Sequence, residues 1–223
     1  MRIIRVKIGA ILMLFAMIAS DSVALLGIYF LSAALHECGH LLAARALKIE
    51  IKEIRFDFSG VRICTDDIIT SYWHELFLAA AGPLVNLIAV TASVCVFSLC
   101  GVSLFGVVNS VVSFFEGELT FLGAVGFFAT SSLLQGSINL LPVNTLDGGR
   151  ILFCASALFF GERCASATIK STSFIAAFVL WTVALYMLLK VSSGLGIFVF
   201  AACIFLSTLK DTDFIVKNKK RLE

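Results

Sequence analysis

The sequence predicts an all-α polytopic membrane protein, a six-span helical bundle with a small amphipathic β-hairpin between spans two and three. Of its 223 residues, 60% are hydrophobic and 14% are charged, whereas soluble domains usually carry about 25% charged residues. Its apolar runs approach the roughly 20 residues that a helix needs to cross about 30 Å of hydrocarbon. Between the second and third runs, apolar and charged residues alternate at nearly the period of two that is typical of strands.

Six apolar runs give the predicted spans. They cover residues 3–20, 22–47, 76–100, 119–141, 171–189 and 194–209, with a short apolar segment at 151–160 after the fourth. Residues 102–115 leave three alternatives open: an extension of span three, an interfacial segment or a loop. The basic start and first apolar run also resemble a signal peptide, but cleavage after Ala19 would place Met17 where a small residue is preferred.

The segment between spans two and three predicts one or two strands, or a hairpin that turns at Ser59–Gly60. Its alternating apolar residues are Ile49, Ile51, Ile54, Phe56, Phe58, Val61 and Ile63. A cytoplasmic loop with an apolar face is the alternative. A sheet edge here would be able to pair with an extended substrate.

The basic residues predict the orientation. With both termini cytoplasmic, the inner segments hold 16 of the 17 lysines and arginines, and only Lys190 lies outside. Such an excess of basic residues on one side marks the cytoplasmic face. We therefore expect a single integral-membrane domain, 1–223, in a bacterial cell membrane. Its core covers about 20–160, spans five and six cover 171–209, and a basic cytoplasmic tail covers 210–223.

The motif His36-Glu37-Cys38-Gly39-His40 stands inside an apolar stretch whose only other charged residue from position 8 onward is Asp21. Each ionisable group at membrane depth costs roughly 2.5–3.5 kcal/mol on insertion scales, so three together indicate a function. On a helix, the two histidines lie about 40° apart and Glu37 lies on the same face. This HExxH spacing is typical of two zinc ligands one turn apart with a glutamate free to act as a base.

A site with two histidines needs a third protein ligand. His74 is the only other histidine, and it lies at a predicted interface, where histidines more often lie among aromatic residues than bind metal. Asp147 is the better candidate, because it lies at the same predicted depth as His36 and His40. Pro142 interrupts helical hydrogen bonding and Gly148-Gly149 allows close backbone approach. The alternative is an ordinary turn in which Asp147 caps a helix over 151–160.

Three motifs occur in order on successive spans: His36–His40, then Ala81-Gly82-Pro83-Leu84-Val85-Asn86, then the segment from Asn139 to Arg150 with its Leu-Asp-Gly-Gly sequence. Together they resemble the site-2 protease family of intramembrane zinc metalloproteases. The compact bacterial branch that contains the sporulation sigma-factor-processing protease is the most similar. The first and third motifs are highly specific, and the second is supportive.

The resemblance implies Zn²⁺ held by His36, His40 and Asp147, with Glu37 as the catalytic residue that activates water. It also implies that Asn139 engages the substrate backbone. The family often has a proline where Thr145 stands, so substrate contacts in that turn are expected to differ. The implied activity is hydrolysis of peptide bonds in membrane-embedded or membrane-tethered proteins near the cytoplasmic face, as in regulated intramembrane proteolysis.

The implied partners are a transmembrane or membrane-associated substrate, such as a transcription-factor precursor or its membrane-bound regulator, and regulatory membrane proteins. No nucleic-acid partner is expected, and the net charge of +2 is itself uninformative about partners. A membrane transporter is the alternative from another class, because intramembrane ionisable groups also mark ion pathways. It would show acidic groups at several depths or an inverted repeat, and neither is found. A metal-binding, non-catalytic adaptor is the second alternative, and the intact Glu37 argues against it.

Overall fold

A computed structural model describes residues 3–6, 23–49, 51–57, 60–65, 71–191 and 195–210. Its strands are β1 (Ile3–Val6), β2 (Ile51–Asp57) and β3 (Gly60–Thr65). Its helices are α1 (Val23–Ala46), α2 (Tyr72–Leu99), α3 (Leu104–Phe115), α4 (Phe121–Asn139), α5 (Asp147–Phe160), α6 (Glu162–Val191) and α7 (Leu195–Lys210). The predicted tail beyond residue 210 lies outside the described residues.

The fold is predominantly helical and suited to a membrane. Among the described residues, three helices are long and apolar enough to cross a bilayer, over Tyr72–Leu99, Phe121–Asn139 and Glu162–Lys190. These are fewer than the six spans predicted. Span one was expected to begin at Ile3, which is wrong, because Ile3–Val6 forms a strand; its remaining residues, 7–20, lie outside the described part.

The distribution of apolar residues is that of a protein surrounded by lipid. Large side chains such as Leu87, Ile88 and Leu99 are 60%, 65% and 88% exposed. The buried face of α4, by contrast, consists of small residues, namely Gly123, Gly126, Ser131, Ser132 and Gly136. Small residues let membrane helices approach closely, because lipid gives no hydrophobic force that drives helices together.

The strands form one three-stranded sheet in the order β1-β2-β3. β2 and β3 are antiparallel, with Asp57 opposite Gly60, and β1 pairs in parallel with β2. The predicted two-stranded hairpin is therefore incomplete. The third strand comes from the N-terminus, where the sequence predicted a membrane span.

Residues 102–115, left open by the sequence, contain the separate helix α3. Its 12 residues extend about 18 Å, too short to cross a bilayer. The hydroxyl of Ser103 caps it by accepting from the amide of Gly106. α3 packs against α4, so it is a short partner of that helix and not an extension of α2.

Helix α2 is central to the bundle, because α1, α4 and α5 all pack against it. A short turn joins α4 to α5, and its underside is anchored in a core with α6 and α7. Val143 and Leu146 of the turn are buried there with Ala177 and Ile204. The amide of Asn144 also donates to the hydroxyl of Ser173 on α6 over 2.8 Å. The turn that leads to Asp147 is thus anchored on α6 and α7.

Candidate metal centre

The helix α1 presents both histidines of the HExxH motif to the interior. His36 is 2% exposed and His40 is 6% exposed. Their Nε2 atoms lie 3.2 Å apart. Glu37 is half-buried, with one carboxylate oxygen enclosed, whereas Cys38 is exposed. One helical turn therefore brings the two imidazoles together on the inner face, as the spacing predicted.

Asp147 joins the two histidines across 107 residues of sequence. Its Oδ2 lies 3.2 Å from Nε2 of His36 and 3.3 Å from Nε2 of His40. α5 begins at Asp147 itself, and its N-cap position is Leu146. The alternative in which Asp147 caps a helix over 151–160 is therefore wrong, and the carboxylate points at the imidazoles.

The two glycines after Asp147 let the chain fold back on itself. A Cβ on Gly148 would lie 2.6 Å from the carbonyl oxygen of Leu141, and one on Gly149 would lie 2.8 Å from the amide nitrogen of Asn144. Real Cβ atoms do not approach so closely, so the first turn of α5 requires glycine at both positions. The double glycine thus places the carboxylate by letting backbone pack on backbone.

The three donor atoms fit a tetrahedral cation. The sides of their triangle measure 3.2, 3.2 and 3.3 Å. Zinc bonds nitrogen and carboxylate oxygen at about 2.0–2.1 Å, which for tetrahedral angles places neighbouring donors about 3.3 Å apart. Two imidazoles and one carboxylate also match catalytic zinc sites, which keep a fourth position open. Among the described residues, these three form the only such cluster of potential metal ligands.

Helix α2 supports the histidines although it supplies no ligand. The Nδ1–H of His40 donates to the carbonyl oxygen of Leu78 over 2.8 Å, which leaves Nε2 with its lone pair toward the cluster. A Cβ on Gly82 would lie 2.7 Å from Nε2 of His36 and closer still to His40. Nδ1 of His36 faces the amide of Asn86 at 3.1 Å. The sequence had given this Gly-Pro-x-x-Asn segment only as support for the resemblance.

An ion pair joins α2 to the first turn of α5. Oε1 of Glu75 accepts from Nε of Arg150 over 2.8 Å and from a second nitrogen of the same guanidinium. Arg150 follows Asp147 by three residues, so this pair fixes the turn that carries the carboxylate. Sequence reasoning missed it, because the two charges are 75 residues apart.

Of the two remaining candidates, Asn139 lies beside the donor triangle and His74 does not. Nδ2 of Asn139 lies 3.0 Å from Nε2 of His36, so its amide borders the donor triangle. His74 is exposed and takes no part in the cluster. One turn before His36, the hydroxyl of Ser32 bonds Ser132 at 2.9 Å and Gln135 at 3.0 Å, which ties α1 to α4.

Comparison with known proteins gives a family match and similar relatives. Residues 23–189 match the model of peptidase family M50. A zinc metalloprotease from Methanocaldococcus jannaschii is 29% identical over 199 residues, which cover 86% of this chain and 51% of that protein. The chain thus spans about half the length of that curated relative.

The solved structure of a site-2 protease from Methanocaldococcus jannaschii has the same fold, with a TM-score of 0.57 at 23% identity. The match covers 93% of this chain and 89% of the other. The family match spans the three motifs from His36 to Arg150 and most of the chain. The chain therefore belongs to peptidase family M50, the site-2 protease family that its motifs resemble.

Proposed function

We propose that this chain is an intramembrane zinc metalloprotease that hydrolyses peptide bonds of membrane-embedded or membrane-tethered proteins near the cytoplasmic face. The observation that supports this most directly is the donor triangle of His36, His40 and Asp147, with sides of 3.2–3.3 Å. Membership of a peptidase family and a zinc metalloprotease among the relatives point to the same activity.

The metal, Glu37 and Asn139 have separate roles in the proposed hydrolysis. Bound zinc supplies Lewis-acid chemistry, lowering the pKa of water and polarising a carbonyl. Glu37, next to His36 on the same turn, accepts the proton of the attacking water and passes it to the leaving amine. The amide of Asn139, at the border of the triangle, donates to the substrate backbone and holds the scissile bond in place.

In the proposed orientation, the centre lies close enough to the cytoplasmic surface for water to reach it. His40 precedes the end of α1 by six residues, about 9 Å along the helix. The basic residues that follow α1 mark that end as cytoplasmic. The centre then lies shallowly below the cytoplasmic surface, within reach of water. This arrangement supports cleavage near the inner face of a cell membrane, with both termini cytoplasmic.

The sheet supports recognition of an extended substrate. Among the described residues, β3 is at the edge of the order β1-β2-β3, where an added strand could pair with its outer main-chain groups. A protease needs the substrate backbone unwound from helix before a carbonyl can be attacked. Pairing with β3 would stabilise that unwound form. Substrates of this kind include a membrane-bound transcription-factor precursor or its membrane-bound regulator.

Loss of the base tests the proposal. Membrane fractions from cells with the wild-type protein and with Glu37→Gln should differ in intact substrates, which accumulate uncleaved in the variant. The variant should retain zinc, and a chelator should reproduce its effect in the wild type. A Glu37→Gln protein that still cleaves, or a purified wild type without stoichiometric zinc, would refute the proposal. A transporter would instead show no accumulation of uncleaved membrane proteins in the Glu37→Gln variant.

A further inference from the structure

The imidazole of His36 is enclosed on both sides. Nε2 faces the donor triangle, and Nδ1 lies 3.1 Å from the amide nitrogen of Asn86. Asn86 is 2% exposed. Gly136 of α4 closes over the amide, because a Cβ there would lie 3.2 Å from the Cβ of Asn86 and 3.4 Å from its Nδ2. The amide is therefore held in place between α1 and α4.

The proton count decides which end of this amide should face the ring. A neutral imidazole carries one N–H. A histidine that offers Nε2 to a cation carries its proton on Nδ1, and metal-binding histidines almost always donate that proton to an acceptor. The NH₂ group of Asn86 is also a donor, so it cannot receive this proton.

Rotating the Asn86 amide group by 180°, which exchanges Oδ1 and Nδ2, removes this conflict. The oxygen and nitrogen ends of the amide have nearly the same shape, so the rotation needs no extra space. Oδ1, which is buried and finds no hydrogen-bond partner among the described residues, then takes the place 3.1 Å from Nδ1. After the rotation, Nδ2 takes the place that Oδ1 held, where the described residues offer no partner. The donor–donor contact between Asn86 and His36 becomes a hydrogen bond.

We propose that Asn86 is a positioning residue of the metal centre: its amide oxygen accepts the Nδ1–H of His36 and fixes the ring with Nε2 aimed at the cation. This inference rests on the proposed function, because it requires zinc on His36. An amide suits the place, since it is uncharged and adds no further carboxylate beside Asp147 and Glu37. The carbonyl of Leu78 does the same for His40, so α2 orients both histidines.

Three variants of the full chain, purified in detergent, test the role. Asn86→Leu keeps the size and removes both polar ends, and Asn86→Asp keeps an acceptor. Ser93→Ala is the control, because Ser93 is also buried on α2 but, within the described part of the chain, bonds the carbonyl of Ala89 in its own helix and nothing at the centre. Zinc dissociation constants come from competition with a chromophoric chelator. The visible spectrum of the Co²⁺-loaded protein reports ligand geometry, and thermal unfolding without metal reports the fold.

We expect Asn86→Leu to bind zinc about 10- to 100-fold more weakly and to change the cobalt spectrum. Asn86→Asp should bind at least as tightly as the wild type, and Ser93→Ala should match it. Wild-type affinity in Asn86→Leu, or equal losses in Asn86→Leu and Asn86→Asp, would overturn the inference, because an acceptor would then not matter. If Asn86→Leu does not fold, weakened zinc binding by Asn86→Asp overturns it. A wild type that binds no zinc refutes the proposed function itself.

Discussion

Replacement of Gly82 by alanine tests the closest contact between α2 and the candidate metal centre. A Cβ at this position would lie 2.7 Å from both Cε1 and Nε2 of His36 and closer still to Nε2 of His40. Ordinary van der Waals contact begins near 3.4 Å. The His36 ring must therefore retreat by about 0.7 Å, and the His40 ring by more.

Zinc tolerates little of this movement, because ligand distances hold to within about 0.2 Å. A second-shell change typically costs 10- to 100-fold in metal affinity, and here both ligand atoms themselves are displaced. We therefore expect Gly82→Ala to weaken zinc binding by at least about 100-fold, which is about 2.7 kcal/mol. In the metal-free protein the clash with two buried rings should lower the unfolding temperature, but by less than a clash with backbone would, because side chains yield more readily than backbone.

The assay is chelator competition on the purified protein, with thermal unfolding recorded with and without zinc. Gly27→Ala is the matched control, because a Cβ there meets nothing within 4 Å. Gly39→Ala gives the contrasting case: its Cβ would lie 2.6 Å from the backbone oxygen of Ala81, so it should lower stability more, even without metal. Zinc binding by Gly82→Ala equal to that of Gly27→Ala would refute the reasoning.

Two further substitutions test the α5 side of the centre. Asp147→Asn keeps the shape but removes the charge, so zinc should be lost on dialysis; a stoichiometric zinc content in this variant would contradict the ligand assignment. Glu75→Gln weakens the ion pair with Arg150. The side chains of Arg150 and Glu75 are 34% and 25% exposed, so this change should lower the free energy of unfolding by between roughly 1 and 3 kcal/mol. Glu162→Gln is the control, because the carboxylate of Glu162 accepts a hydrogen bond from Tyr72 at the surface. Equal unfolding midpoints in the two variants would contradict a stabilising role for the pair of Glu75 and Arg150.

Much of the helical framework follows from local sequence. The predicted span 119–141 corresponds to α4 (Phe121–Asn139), and 76–100 corresponds to α2 (Tyr72–Leu99). Apolar runs predict such helices well, because a backbone inside lipid must satisfy its own hydrogen bonds. The HExxH spacing likewise placed both histidines on one face, since that is a property of a single helical turn.

Features that depend on distant partners could not be predicted in this way. β1 is a short apolar segment with one basic residue, Arg5, and only its pairing with β2 distinguishes it from the start of a span. The Leu78 carbonyl leaves no trace in the sequence, because every residue has one. The predicted β-hairpin lacked its third strand for the same reason: strand order is a property of the folded chain.

The role of α2 shows why a centre with ligands on α1 and α5 depends on a helix that supplies none. Its contacts with the centre come from Glu75, Leu78, Gly82 and Asn86. These positions are three, four and four residues apart, so at about 100° per residue they fall within one 80° stripe. Glu75 fixes the turn of Asp147, and the other three fix the two imidazoles. Both α1 and α5 pack against α2, so this stripe contributes to the position of Asp147 relative to the histidines. Changes along it should therefore alter metal affinity even though no ligand is touched.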